Sequence, residues 1–258
     1  MKHIKKKYLF AEKNVTVRSN NINSSVKKVD RRDKNTLKKN KNDIAFVKTT
    51  EDYFIKGFIH NYNGNYTVVP MPDLTLVYFD HAYYMNKVRK EKEKELFQKL
   101  NSEEEVAEEA TNEIYHYYGH ASNCIISLFT AMESFINHLI PDSEKFERVQ
   151  KNRTEIYSKE QIQEHINFND KLKTVLPYFF EGKNFFQKST PANQLLTSLK
   201  ELRDDIIHTK SEKNFEKQEK LFARVLKFKY DKAIEAVGTF MNFYKPDYLM
   251  ECDCGTDY

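Results

Sequence analysis

The stretch Ile114–Leu139, IYHYYGHASNCIISLFTAMESFINHL, decides the fold class. Ile114, Tyr117, Tyr118, Ala121, Cys124, Ile125, Leu128, Met132, Phe135, Ile136 and Leu139 recur at three- and four-residue intervals. That spacing lines one face of an α-helix. Pro141 ends the pattern, because proline cannot continue the ladder. Only six Gly and six Pro occur in 258 residues, which also favours long helices. The hydrophobic fraction of 40% suffices for a core. Mean hydropathy is −0.75. Apolar runs such as Cys124–Ile126 fall far short of the roughly 20 residues that span a bilayer.

Further helices are read outward from this one. Tyr84, Met85 and Val88 open an amphipathic segment from about His81, running through Lys90–Glu95 to about Leu100. Ser102, with Glu105 three residues on, is a candidate cap for the next helix. Asp142–Ser158 reads as a connection with some helix in it. A helix is predicted over Lys159–Val175, stopped by Pro177. Another starts at Pro191 with Thr190 as its cap and carries Leu195, Leu199, Leu202 and Ile206. The last long helix is predicted over Asn214–Tyr244.

Toward the N-terminus the period changes. Tyr53–Ile55, Phe58–Ile59 and Tyr66–Val69 surround the turn residues Asn61–Gly64, a β-hairpin signature that Pro70 and Pro72 close. Leu74–Phe79 fits a strand or a helix start equally. The expected fold is therefore mainly α. An antiparallel helical bundle over residues 80–245 carries a small β-hairpin appendage over residues 44–79, with a flexible arm at 1–43 and a loose tail at 246–258.

Charge is unevenly placed. Residues 1–43 hold 14 Lys/Arg against 4 Asp/Glu, leaving 28 against 34 in the rest. Such an arm suits RNA phosphates, and equally a solubilising tail. The apolar run Tyr8–Ala11 is too short for a secretory signal. Three cysteines without framework spacing point to a reducing compartment, with cytoplasm as the default.

The chemistry-bearing segment is Leu199–His208, LKELRDDIIH. Arg203 and His208 are separated by four residues, the first of them polar. This resembles the signature of the HEPN superfamily, an Arg, a polar residue and then a His on a late helix of a small bundle. The resemblance covers about residues 112–244, half the chain. The segment Phe129–Asn137, with Glu133 and Asn137 amid apolar residues, looks like the first core helix of such domains. The resemblance implies a homodimer and, in many members, metal-independent RNA cleavage in toxin or antiviral roles, with a cognate inhibitor protein as a further implied partner. Other members have lost catalysis and bind a protein or nucleotide partner. It implies Arg203 and His208 as catalytic residues, Asp204, Glu133 and Asn137 in support, and no cofactor. One toxin branch carries a Tyr two residues after the His; here that position is Lys210.

Elementary geometry adds to this. On an ideal helix Arg203 and His208 diverge by roughly 140°, so one chain's pair converges poorly on a single phosphate. Two copies across a symmetry axis bring pairs together. Asp204 and His208, four apart, share a helical face, on which the carboxylate could orient the imidazole. RNA supplies its own nucleophile, the 2′-hydroxyl. Histidine moves protons near neutral pH, and arginine stabilises the charge that develops on phosphorus-bound oxygens. The bland alternative is that both are ordinary helix-surface residues.

Other motifs are weaker. His116 and His120, with Glu113 nearby, have a zinc-compatible spacing but no third strong ligand, and a solvated face explains them better. Cys252 and Cys254 resemble half a metal knuckle with no second half. Tyr62 and Tyr66 on the hairpin suit base stacking and hairpin packing alike.

Overall fold

The computed structural model describes residues 4–8, 11–12, 33–49, 53–102, 108–209 and 215–252. They divide into two compact units, residues 6–76 and residues 77–258 together with the first five.

The smaller unit is a sheet. Strands β1 (Ala11–Glu12), β2 (Ala45–Lys48) and β4 (Asn65–Pro70) each pair antiparallel with the central β3 (Phe54–Tyr62). The hairpin of β3 and β4 forms as predicted. Asn63 (φ 49°) and Gly64 (φ 83°) turn it in the left-handed conformation that a two-residue turn demands. At Gly57 a Cβ would lie 2.6 Å from the Val69 carbonyl oxygen, so glycine permits this close strand approach. Composition assigns no element to residues 1–43, yet β1 and helix α1 (Lys34–Lys39) lie there. The Asp33 carboxylate accepts the N–H groups of Asn35 and Thr36, and Leu37 is buried, so one cap and one apolar anchor organise this helix.

The larger unit is helical. Leu74–Phe79 resolves as helix, because α2 runs Leu74–Ser102. Next comes α3 (Glu108–Leu139), whose Tyr117, Ile125, Leu128, Met132, Phe135 and Ile136 are fully buried. The proposed cap partner Glu105 lies outside the described residues. Helix α7 (Pro191–Ile207) packs against α3 and α9 (Tyr230–Tyr244), with α8 (Glu216–Lys227) beside α3 and α7. Leu196, Leu199 and Leu202 of α7 and Val237, Phe240 and Met241 of α9 complete this core.

Three stretches differ from expectation. The connection after α3 holds a hairpin, β5 (Phe146–Gln150) and β6 (Arg153–Tyr157), instead of helix. The helix predicted over Lys159–Val175 is broken into α4 (Lys159–His165), α5 (Phe168–Asp170) and a π-helical turn, Lys171–Val175, before α6 (Leu176–Phe179). Ser158 caps α4 in a reciprocal box with Gln161, and Asn167 caps α5. Ile140, Phe146, Ile162, Ile166 and Val175 form a satellite core beneath these pieces. The predicted helix over Asn214–Tyr244 is two helices, parted at Phe228, whose backbone is extended (φ −66°, ψ 139°).

Asn193 anchors the start of α7. It is buried, and its Nδ2 donates to the carbonyls of Phe185 (3.0 Å) and Lys188 (2.5 Å). Asn193→Ala leaves both carbonyls without this donor, and the expected cost is about 1–3 kcal/mol. A urea midpoint equal to the parent's contradicts this.

Candidate functional site

Helix α7 begins where the Thr190 hydroxyl accepts the Asn193 N–H, with Pro191 in the first turn, as the sequence predicts. Its leucines fix which flank meets α3. Arg203 lies on that flank, with its guanidinium carbon 4.6 Å from the centre of the Phe129 ring, a cation–π stack. Nη1 donates to Asp204 Oδ1 at 2.9 Å. Nε is buried and has no hydrogen-bond partner.

His208 is not helical. The helix stops at Ile207, and His208 (φ −104°, ψ 44°) is its C-cap, with its backbone N–H donating to the Asp204 carbonyl at 2.9 Å. Its ring is exposed, and among the described residues it makes no hydrogen bond or ion pair. The ideal-helix divergence of 140° therefore does not carry over to this pair, because the chain leaves the helix between them.

Asp204 goes elsewhere than expected. Its carboxylate accepts from Lys200 Nζ at 2.7 Å as well as from Arg203. Burial alone would raise its pKa; the hydrogen bonds from Lys200 and Arg203 outweigh that and hold it below the usual carboxylate range. No side-chain bond from Asp204 to the His208 ring forms. Its link to His208 is through the backbone.

Glu133 and Asn137 lie one and two turns beyond Phe129 on α3 and gather around Lys171 of the π-turn. Lys171 is 3% exposed. Its Nζ donates to Asn137 Oδ1 (3.2 Å) and to the Gln163 carbonyl (2.9 Å). Gln163 Nε2 in turn donates to the Asn137 carbonyl. Burial pushes the Lys171 pKa down, and the charge of half-buried Glu133 opposes that shift. Neither Glu133 nor Asn137 bonds to Arg203 or His208. The connection is an aromatic one, since Phe129 packs on Phe168 (4.8 Å between ring centres), three residues before Lys171.

Two arrangements thus emerge. One is Arg203, Asp204 and Lys200 on the Phe129 ring, with His208 exposed at the helix end. The other is the clasp of Glu133, Asn137 and Lys171. Phe129, Lys171 and Lys200 are members that the sequence motif omits. Lys200 was legible as a partner four residues before Asp204. Lys171 carries no local signal of its burial.

The weaker motifs are placed as follows. Glu113 pairs with Lys92 Nζ at 3.2 Å. Burial, the neighbouring His116 and Lys92 lower the pKa of His120. Among the described residues no three or more His, Cys, Asp or Glu gather to hold a metal ion. Cys254 and Lys210 lie outside the described residues. Tyr62 is exposed and Tyr66 half-buried on the hairpin. Among the described residues no helix is long and apolar enough to cross a membrane. Comparison with protein-family models, curated proteins and solved structures finds no match to this chain.

Proposed function

We propose that the chain is a metal-independent endoribonuclease with a HEPN-like site formed by Arg203 and His208, acting as a homodimer in a toxin or antiviral setting and held in check by a cognate inhibitor. The observation that carries this reading is the state of the pair. The Arg203 guanidinium is steadied on Phe129 with a buried, unpartnered Nε, and an uncommitted imidazole stands at the end of the same helix.

The chemistry asks for little more. A base takes the proton of the ribose 2′-hydroxyl, which attacks the adjacent phosphorus. The bond to the leaving 5′-oxygen breaks as an acid protonates it, and a 2′,3′-cyclic phosphate remains. Histidine serves as base in one protonation state and as acid in the other. One chain offers one such histidine, so two chains about a two-fold axis supply both roles. The guanidinium meets the charge on the phosphorane oxygens.

A second reading has its own support. Asp204, the residue suited to orient the His208 ring, is held by Lys200 and Arg203 instead. An undirected imidazole suits a non-catalytic module that binds a protein or nucleotide partner.

The test is incubation of labelled RNA with purified protein in excess EDTA. Cleavage to 2′,3′-cyclic ends is expected to persist, and DNA of the same sequence, which lacks the attacking hydroxyl, is expected to stay intact. Cleavage abolished by EDTA, or DNA cut as fast as RNA, rules this mechanism out. Intact RNA at every protein concentration leaves the binding module.

A further inference from the structure

A second flank of α7 borders an open cleft of about 1010 Å³, closed on its other side by the junction of α8 and α9. Pro191, Leu195, Leu202 and Phe228 give it apolar walls, and Arg224, Lys227, Lys229 and Lys232 bring cations to it. Its acids are already answered. Arg224 pairs with Asp205 and approaches Glu201 at 4.0 Å. Asp204 is held by Lys200 and Arg203. Lys232 pairs outward with Glu235 at 2.9 Å.

Lys227 and Lys229 are different. Both are exposed, and among the described residues neither side chain has a hydrogen bond or ion pair. They flank Phe228, the half-buried residue at which the chain runs extended between the two helices. The cleft therefore offers two unpaired lysines that flank an aromatic residue in sequence. Phosphates with a planar base between them complement that pattern, which is how single-stranded nucleic acid is held without sequence preference. An open groove suits a strand better than a small ligand, which needs to be enclosed. Asp204 lines this cleft and also holds Arg203, so the cleft and the candidate site share this residue.

We propose that this cleft is the subsite for single-stranded RNA next to the scissile phosphate, with Lys227 and Lys229 on the backbone and Phe228 stacked on a base. The proposal rests on the ribonuclease reading for the strand's being substrate.

The experiment uses the full chain in a His208→Ala background, so that the strand survives, and a fluorescein-labelled 12-nucleotide single-stranded RNA. Fluorescence anisotropy is followed over a range of KCl concentrations. Lys227→Glu with Lys229→Glu is expected to weaken binding about tenfold or more. It is also expected to flatten the log–log salt slope by about 1.4, at about 0.7 per phosphate contact on a single strand. Phe228→Leu is expected to weaken binding about fivefold or more with the slope retained, because stacking releases no counterions. Circular dichroism checks that each variant is folded.

Parent-like affinity and slope in the lysine variant, or no binding of the RNA by the parent, overturns the subsite. Wild-type cleavage run in parallel separates the two ideas. Cleavage that proceeds with unchanged binding in the lysine variant sinks the subsite alone. Binding that needs Lys227 and Lys229, with no cleavage by wild type, supports the subsite and sinks the enzyme.

Discussion

His208→Ala is expected to lower the rate of the proposed RNA cleavage by about 10²–10⁴-fold, the usual cost of losing a positioned acid or base. Structure makes this variant a clean one. The His208 side chain is exposed and bonds to nothing among the described residues. The capping bond from its backbone N–H to the Asp204 carbonyl survives in alanine. Removal of such a side chain is expected to change stability by less than about 0.5 kcal/mol. Helical circular dichroism and the urea midpoint should therefore match the parent while activity falls. An exposed position also admits a small replacement, so added imidazole is expected to restore part of the rate. The measurement is single-turnover cleavage of labelled RNA at saturating enzyme. Cleavage by the alanine variant at the parent rate removes His208 from the chemistry and, with it, the proposed Arg203–His208 site.

The parts of this fold that were legible in the sequence share a property. Each writes several consecutive local signals. Helix α3 repeats its buried face over many turns, and α7 announces its start with Thr190 and Pro191. The β3–β4 turn needs the left-handed conformation that Asn63 and Gly64 supply. The hairpin β5–β6 has no such redundancy. Phe146 is its single buried side chain, Val149 is 79% exposed, and so the alternation that marks a half-buried strand is missing. At Phe228 no glycine or proline interrupts the chain, and apolar residues run on from Val225 to Ala233, so the sequence pattern carried the helix across a break. Tyr230 closes that break by donating its hydroxyl to the Val225 carbonyl at 2.8 Å, a contact local in space but silent in pattern. Ser158 caps the start of the predicted Lys159–Val175 helix, and the cap at Asn167 marks where it divides. In the candidate site, the spacing of Arg203 and His208 was visible, but their surroundings were not. The stack of Arg203 on Phe129 joins residues far apart in sequence, and no single sequence encodes such a pair. Asp204 shows the limit of face-sharing arguments. Lys200 lies four residues before it, as His208 lies four after. The lysine side stays helical, the histidine side ends the helix, and the carboxylate follows the helical partner.

Arg203→Ala is expected to reduce cleavage by about 10²–10³-fold, the cost of removing one donor aimed at developing negative charge. Unlike the histidine variant, it also touches the fold. The guanidinium lies 4.6 Å above Phe129, a contact worth about 0.5–2 kcal/mol depending on desolvation. Its pair with Asp204 is partly solvated and adds little. The alanine variant should thus lose about 1–2 kcal/mol of stability together with its activity, and activity alone cannot separate the two losses. Arg203→Lys separates them. An ammonium keeps the charge near Asp204 and part of the aromatic contact, but it lacks the planar fork that binds two oxygens at once. Stability is expected to return to within about 0.5 kcal/mol of the parent, while the cleavage rate remains near that of alanine. Asp204→Asn is expected to act more mildly, because Arg203 keeps its ring contact. The pH dependence has a definite sign. The Asp204 carboxyl is depressed in the folded chain, so its contribution is full above the unfolded carboxylate pKa, about 3.9, and fades only as pH falls through the lower folded value. The support it gives Arg203 is therefore constant across neutral pH, and any change in rate between about pH 5 and 8 must come from a group that titrates there. Rates and urea midpoints measured on Arg203→Ala and Arg203→Lys decide the matter. If the lysine variant cleaves at the parent rate, a point charge suffices and the bidentate role is wrong. If the alanine variant does so, Arg203 is a packing residue and nothing more.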